Sequence, residues 1–259
     1  MDDVDQLTDL VRELAYPPGI RCALPGRILR PAFFPGGTGI RVGKNPLTAS
    51  PENEGRVLPK RGVLVLGHNF WNVQNYEETA RNGGEVGKNP TWRELLLLLG
   101  DCGIDVRCCF FTNAFMGLLE MESAVGSVRG HRDERFLFGC RRVLRESLNL
   151  QRTALVLALG PKAARFLGST LPQLDKWSAP WSFSKFDAAG LFKYGLGLSL
   201  PGSVSRFAAV AILHPSLRRA NLRRRRFGEL VGHQAEVAMV KRAMESVPDG
   251  RFSQARADL

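Results

Sequence analysis

The chain has no apolar run long enough to cross a bilayer; Leu95 to Leu99 is a short apolar stretch inside a helical pattern. Its first residues, Met1-Asp2-Asp3-Val4-Asp5, are acidic and lack the basic-then-apolar pattern of a secretion signal. The expected compartment is therefore the cytoplasm, or the nucleoid of a bacterial cell, with no membrane partner. Cysteine is scarce. Cys22, Cys102, Cys108, Cys109 and Cys140 are odd in number and show no paired spacing, which argues against a disulfide framework. No Cys-x-x-Cys occurs, so the usual zinc and iron–sulfur ligand pattern is missing, and the thiols read as buried and reduced. His68, His131, His214 and His233 are scattered, with no carboxylate at zinc-site spacing. There is no Gly-x-x-x-x-Gly-Lys-Ser/Thr loop, no Gly-x-Gly-x-x-Gly after the first strand and no Gly-x-Ser-x-Gly elbow. Together these absences speak against nucleotide cofactors, serine hydrolysis and bound metal. No cofactor is expected, and no internal repeat is seen.

Positive charge is abundant. The formal net charge is +11 and the isoelectric point about 10.0, a balance that favours polyanionic partners. Position sharpens the point: Arg218, Arg219, Arg223, Arg224, Arg225 and Arg226 cluster after one distinctive motif. At 259 residues and 44% hydrophobic, the chain suits one large domain with a sizeable core and loop insertions, spanning 1–259. A monomer is the expected state.

Periodicity predicts the elements. Asp5 to Ala15 reads as a helix that Pro17-Pro18 stops, and Pro18 to Lys60 as a long irregular segment. Gly62 to Gly67 is wholly apolar and ends in Gly, the pattern of a strand buried on both faces. Helices follow at Pro90 to Cys102, Arg132 to Leu148 and Lys162 to Leu167, with Gly160-Pro161 opening the last of these. Strands are expected at Val106 to Thr112, Thr153 to Leu159 and Phe207 to Leu213, loop or hairpin at Trp177 to Pro201, a final helix at Phe227 to Met244, and a polar tail at 247–259. Alternating strands and helices predict an α/β fold: a three-layer sandwich with a central, mostly parallel four-stranded sheet and helices on both faces. Ligands bind such sheets beyond the carboxyl ends of the strands. The residues to read are Gly67-His68-Asn69-Phe70-Trp71-Asn72, Thr112-Asn113-Ala114, Gly160-Pro161-Lys162 and His214-Pro215-Ser216.

In order and spacing these motifs resemble the uracil-DNA glycosylase superfamily from roughly Gly62 to Arg218. The resemblance is carried by strand-Gly-His-Asn-Phe, by Thr112-Asn113, by Leu159-Gly160-Pro161-Lys162-Ala163 after an apolar strand, and by Leu213-His214-Pro215-Ser216-Leu217-Arg218. It implies that Asn69 positions water; Asn has no basic group and orients water only by hydrogen bonds. It implies that the Asn113 amide pairs with the edge of an extruded base and that His214 donates to the base carbonyl as negative charge develops. Leu217 matches a wedge filling the hole left by the flipped base. Ser216, Leu217, Arg218, Arg219, Arg223 and Lys162 are the expected DNA contacts, and Gly67, His68, Phe70, Trp71, Tyr76 and Asn113 the expected substrate contacts. Phe70, Trp71 and Tyr76 are alternatives for the ring that stacks on the base. The chain departs from the family at two places: Asn69 aligns with the branches using Asn rather than Asp, and Phe70 stands where most members have Pro. The implied activity is a monofunctional glycosylase that removes a deaminated base, uracil first, then hypoxanthine or xanthine.

Simpler readings stand beside these. Asn69 and Asn72 suit turns, Asn113 a strand-end cap, His214 a structural hydrogen bond, and the arginines a solvated helix face. Two rival functions follow: a relative that binds damaged or abasic DNA without turnover, and an RNA-binding domain using the arginine run alone.

Overall fold

The computed structural model describes residues 3–22, 40–41, 58–70, 72–81, 85–86, 90–120, 132–179, 182–183, 194–200, 206–247 and 249–253. Its centre is a five-stranded sheet. The strands are β1 (Val63–Gly67), β2 (Cys109–Asn113), β3 (Leu155–Leu159), β4 (Tyr194–Ser199) and β5 (Arg206–Ile212). In space they run β2-β1-β3-β5-β4. The pairs β1–β2, β1–β3 and β3–β5 are parallel, and β4 lies antiparallel on β5. The sheet is therefore mixed and has one strand more than the four expected.

Both faces of the sheet are apolar for a reason visible in the register. Leu64, Leu66, Phe110, Val156, Ala158, Ala209 and Ala211 share one cluster. It is closed by Phe136, Val143 and Leu144 of helix α4 (Glu134–Gln151) and by Ala163, Ala164 and Leu167 of helix α5 (Gly160–Thr170). Val63, Val65, Cys109, Phe111, Leu155, Leu157, Val210 and Ile212 point the other way. They meet Trp92, Leu95, Leu98 and Leu99 of α3 (Pro90–Cys102) and Met239, Val240 and Ala243 of α6 (His233–Glu245). Leu7 and Val11 of α1 (Asp3–Arg12) join the first cluster. Local signals set the boundaries: Asp133 Oδ1 accepts from Phe136 N at 2.8 Å to cap α4, and Pro161 opens α5.

Several boundaries differ from the sequence expectation. Helix α2 (Val73–Arg81) was not foreseen; it is too polar to signal burial, and Asn72 caps it by accepting from Asn75 N at 2.9 Å. The last helix starts at His233 rather than Phe227, because Arg226–Phe227 pairs with Leu230–Val231 around Gly228, whose φ is +55°. The stretch from Trp177 to Pro201 contains β4. In the Pro18 to Lys60 segment, Ile20 and Arg21 pair with Leu119 and Leu118, and Ile40 and Arg41 with Glu85 and Val86; 23–39 and 42–57 lie outside the described residues. The expected tail begins docked, since Asp105 N donates to Phe252 O at 2.7 Å. Among the described residues no helix is long and apolar enough to cross a membrane.

Gly62 shows how tightly the sheet starts. A Cβ there would lie 2.1 Å from the Cys108 carbonyl oxygen, which is main chain and cannot swing aside. Gly62→Ala is expected to cost about 1–3 kcal/mol of stability, as overpacking does. Urea unfolding of the variant would read it, and a midpoint equal to wild type would contradict the packing described.

Candidate functional site

Because β1, β2, β3 and β5 are parallel, their carboxyl ends share one edge of the sheet. Gly67 is in register with Asn113, and Leu159 with Ile212. The loops that leave these strands stay together. Ala114 N donates to Gly67 O at 3.0 Å and Phe115 N to His68 O at 3.1 Å, so the first two loops are zipped side by side. Gly160, with φ +83°, lies so close to the last loop that a Cβ on it would sit 3.0 Å from His214 Cβ. Only glycine combines that conformation with that approach.

The first loop is the more interior of the two singled out from sequence. His68 Nδ1 lies 3.0 Å from Asn69 Oδ1, and the His68 ring meets Phe115 edge-on at 5.2 Å. Phe70 is buried in the first core cluster, which makes it a packing residue of the loop. Asn72 is the cap of α2. Trp71 lies outside the described residues. Tyr76 is half-buried against the same cluster, and burial pushes its phenol up to about 12, so it stays protonated at physiological pH. Asn113 is buried at the end of β2.

The last loop is held by a residue that sequence reasoning missed. Glu236 of α6 is completely buried. Its Oε1 accepts from Leu213 N at 2.7 Å, and its Oε2 accepts from Arg218 Nε at 3.0 Å. One carboxylate thus ties down both ends of His214-Pro215-Ser216-Leu217. Inside that clamp His214 Nδ1 stands 2.8 Å from Ser216 Oγ. Burial lowers the His214 pKa below 6.5, the ordinary value, so the ring is neutral at pH 7. Leu217 is 60% exposed, an apolar side chain left in solvent at the tip.

The arginine run divides into inner and outer members. Arg218 is 4% exposed, paired with Glu236 and 2.6 Å from His233 Nδ1, while His233 Nε2 lies 2.7 Å from Asp101 Oδ2. Arg225 is 1% exposed; it donates to Ala211 O at 2.9 Å, lies 3.3 Å from Glu236 Oε1 and sits 4.4 Å from the centre of the Phe183 ring. Arg218, expected on DNA phosphates, is thus placed in the interior instead. Arg219 keeps an exposed side chain although its Nε donates to Glu94 Oε1 at 2.9 Å. Arg223, Arg224 and Arg226 are exposed.

Compared with protein-family models and with curated proteins, the chain matches none. What the site can do is set by its chemistry. Among the described residues no three His, Cys, Asp or Glu side chains gather as a metal site. The cysteines are free thiols, and burial pushes Cys102 and Cys140 up to about 12, which leaves them protonated and poor nucleophiles. A cavity of about 300 Å³ adjoins the first loop. Its wall includes His68, Phe115, Arg141, Lys162, Arg165 and Phe166. Of the residues singled out from sequence, His68 and Lys162 line it; Asn69, Asn113 and His214 do not.

Proposed function

We propose that the chain is a DNA glycosylase of the monofunctional type, releasing a deaminated base from a flipped nucleotide. The observation that supports it most is the neutral His214, clamped at a shared strand edge beside an exposed Leu217 and outward arginines. Asn69 and His214 each follow the end of a strand by two residues, and those strands are two spacings apart, roughly 10 Å. Burial of Asn113 and of the His214 ring lowers the local dielectric, which strengthens any hydrogen bond to developing charge.

In this reading Leu217 fills the vacated stack, and Arg219, Arg223, Arg224 and Arg226 meet phosphates. Asn113 offers a donor and an acceptor side by side to the base edge. With Ser216 donating to Nδ1, the single proton of the His214 ring sits on Nε2 and donates to a base carbonyl. The electron pair of the N-glycosidic bond leaves with the base, and the His214 N–H stabilises that anion. Water oriented by Asn69 adds to the sugar C1′, and its released proton goes to the departing base. The test is incubation with uracil-, hypoxanthine- and xanthine-containing oligonucleotides followed by alkali, which cleaves at abasic sites. Strand breaks with at least one substrate are expected; none with any at high enzyme excess would remove the proposal.

One observation favours a second reading. Asn69 Oδ1 already has His68 Nδ1 at 3.0 Å, so its capacity to hold water is reduced. A chain that binds abasic DNA without base release would show unchanged binding in Asn69→Ala.

Arginine substitutions separate fold from grip. Arg223→Ala combined with Arg224→Ala is expected to leave the melting temperature unchanged. It lowers DNA affinity across all sequences and reduces the slope of log affinity against log salt by about 2. Arg218→Ala is expected to act the opposite way, lowering stability first. Salt-titrated anisotropy alongside thermal melts would check both.

A further inference from the structure

The cavity beside His68 differs from the carboxylate-paired members of the arginine run in how its charge is balanced. Arg218, Arg219 and Arg225 all have a carboxylate partner in Glu94 or Glu236. The cavity wall carries Arg141, Lys162 in the first turn of α5, and Arg165, whose Nε donates to Ser178 O at 3.3 Å; among the described residues no Asp or Glu lines it. The Arg141 Nε is buried, and among the described residues no hydrogen-bond partner meets it. Three cationic side chains on one wall favour an anion there, and the terminal guanidinium and ammonium groups are the donors that would meet it.

The rest of the wall is chemically different. His68, Phe115 and Phe166 form a continuous ring edge, with centres 5.2 Å apart at each step. Ser169 and Ser178 already spend their protons, donating to Phe166 O at 2.9 Å and to Asp175 O at 2.5 Å. Their oxygens are left as acceptors. A ligand that satisfies this wall combines a phosphate with a flat ring bearing N–H groups. At about 300 Å³ the space is at the small end for ligand sites and holds about one nucleotide.

We infer that this cleft between α4 and α5 binds one nucleotide, with the phosphate on Arg141, Lys162 and Arg165 and the base against Phe115 and Phe166. Asn69, Asn113 and His214 are not among the residues that line it, and the inference does not depend on base release. The same chemistry arises from a free mononucleotide or from one nucleotide of a strand, and two probes tell these apart. Titration calorimetry of the full chain would use thymidine 5′-monophosphate, with thymidine as the control lacking phosphate. Fluorescence anisotropy would use a short undamaged thymidine oligonucleotide.

Millimolar or tighter binding of the monophosphate is expected, with thymidine at least about tenfold weaker. Arg165→Gln, on an exposed side chain, should weaken that binding about tenfold without moving the thermal melt. Arg141→Gln should weaken it further. If only the oligonucleotide binds, and the same variants weaken it about tenfold, the cleft takes its nucleotide as part of a strand. The inference is overturned if neither probe binds, if thymidine matches its monophosphate, or if Arg165→Gln binds both probes like wild type. Should Arg141→Gln fail to fold, Arg165→Gln alone decides. Failure here leaves base release untouched, because alkali-dependent cleavage is scored on different residues.

Discussion

Glu236→Ala is expected to lower the free energy of unfolding by about 3–5 kcal/mol, the usual cost of removing one partner from a buried ion pair. The reason is local and specific. Arg218 and Arg225 are both buried and both pair with this carboxylate, with Glu94 a more distant second partner of Arg218 at 4.0 Å. Without it two guanidinium charges remain in the interior, and the Leu213 N–H loses its acceptor. At about 2–4 °C per kcal/mol for a chain approaching this size, the melting temperature should fall by about 10 °C. Glu236→Gln keeps an acceptor for Leu213 but turns an amide NH₂ toward Arg218, so its loss should be smaller. Urea denaturation checks both. A Glu236→Ala midpoint corresponding to less than about 1 kcal/mol would mean that the clamp contributes little.

The second large effect concerns His214. If its N–H stabilises the departing base, His214→Ala should reduce base release by about 100- to 1,000-fold while leaving DNA affinity nearly unchanged, as loss of one positioned donor does. The pH profile carries a sign. Burial lowers the folded-state pKa of His214 below 6.5. The ring is therefore neutral, and competent as drawn, throughout the range above 6.5. The rate should hold from pH 8 down through 6.5 and fall only at more acidic pH, where the ring gains its proton. The same depression links to stability. Above 6.5 the buried neutral ring costs nothing in protons; as pH falls from 6.5 through the folded value, the unfolded chain binds the extra proton first and stability is lost. A rate that rises on acidification through pH 6 would identify an imidazolium donor and contradict this account. Single-turnover rates between pH 5 and 8, wild type against His214→Ala, read both effects.

Particular residues explain what the sequence made legible. Val63 to Leu66 and Leu155 to Leu159 are apolar at successive positions because both faces are covered, and such runs announce a parallel strand without any partner in view. β4 did not, because Tyr194-Gly195-Leu196-Gly197-Leu198-Ser199 alternates with glycine at a sheet edge, where nothing demands a continuous apolar run. α2 is short and polar, and its cap, Asn72, reads equally as a turn residue.

The site divided in the same way. His214 and Leu217 lie on one loop, so their neighbourhood is local in sequence. Glu236 sits 18 residues from Arg218 and 23 from Leu213, on a helix where a glutamate usually means a solvated face. Only its burial reveals its role. The arginine run carried no mark to separate Arg218 and Arg225, which point inward, from Arg223, Arg224 and Arg226, which stay in solvent. The cationic cleft was equally hidden, since Arg141, Lys162 and Arg165 come together only when α4 packs beside α5.

The most direct measurement is mass-spectrometric detection of free base after single-turnover incubation of the full chain with uracil-, hypoxanthine- and xanthine-containing DNA. The account predicts release of one of these bases by wild type, reduced about 100-fold or more in His214→Ala. No free base from any substrate, or equal release by wild type and His214→Ala, would contradict it.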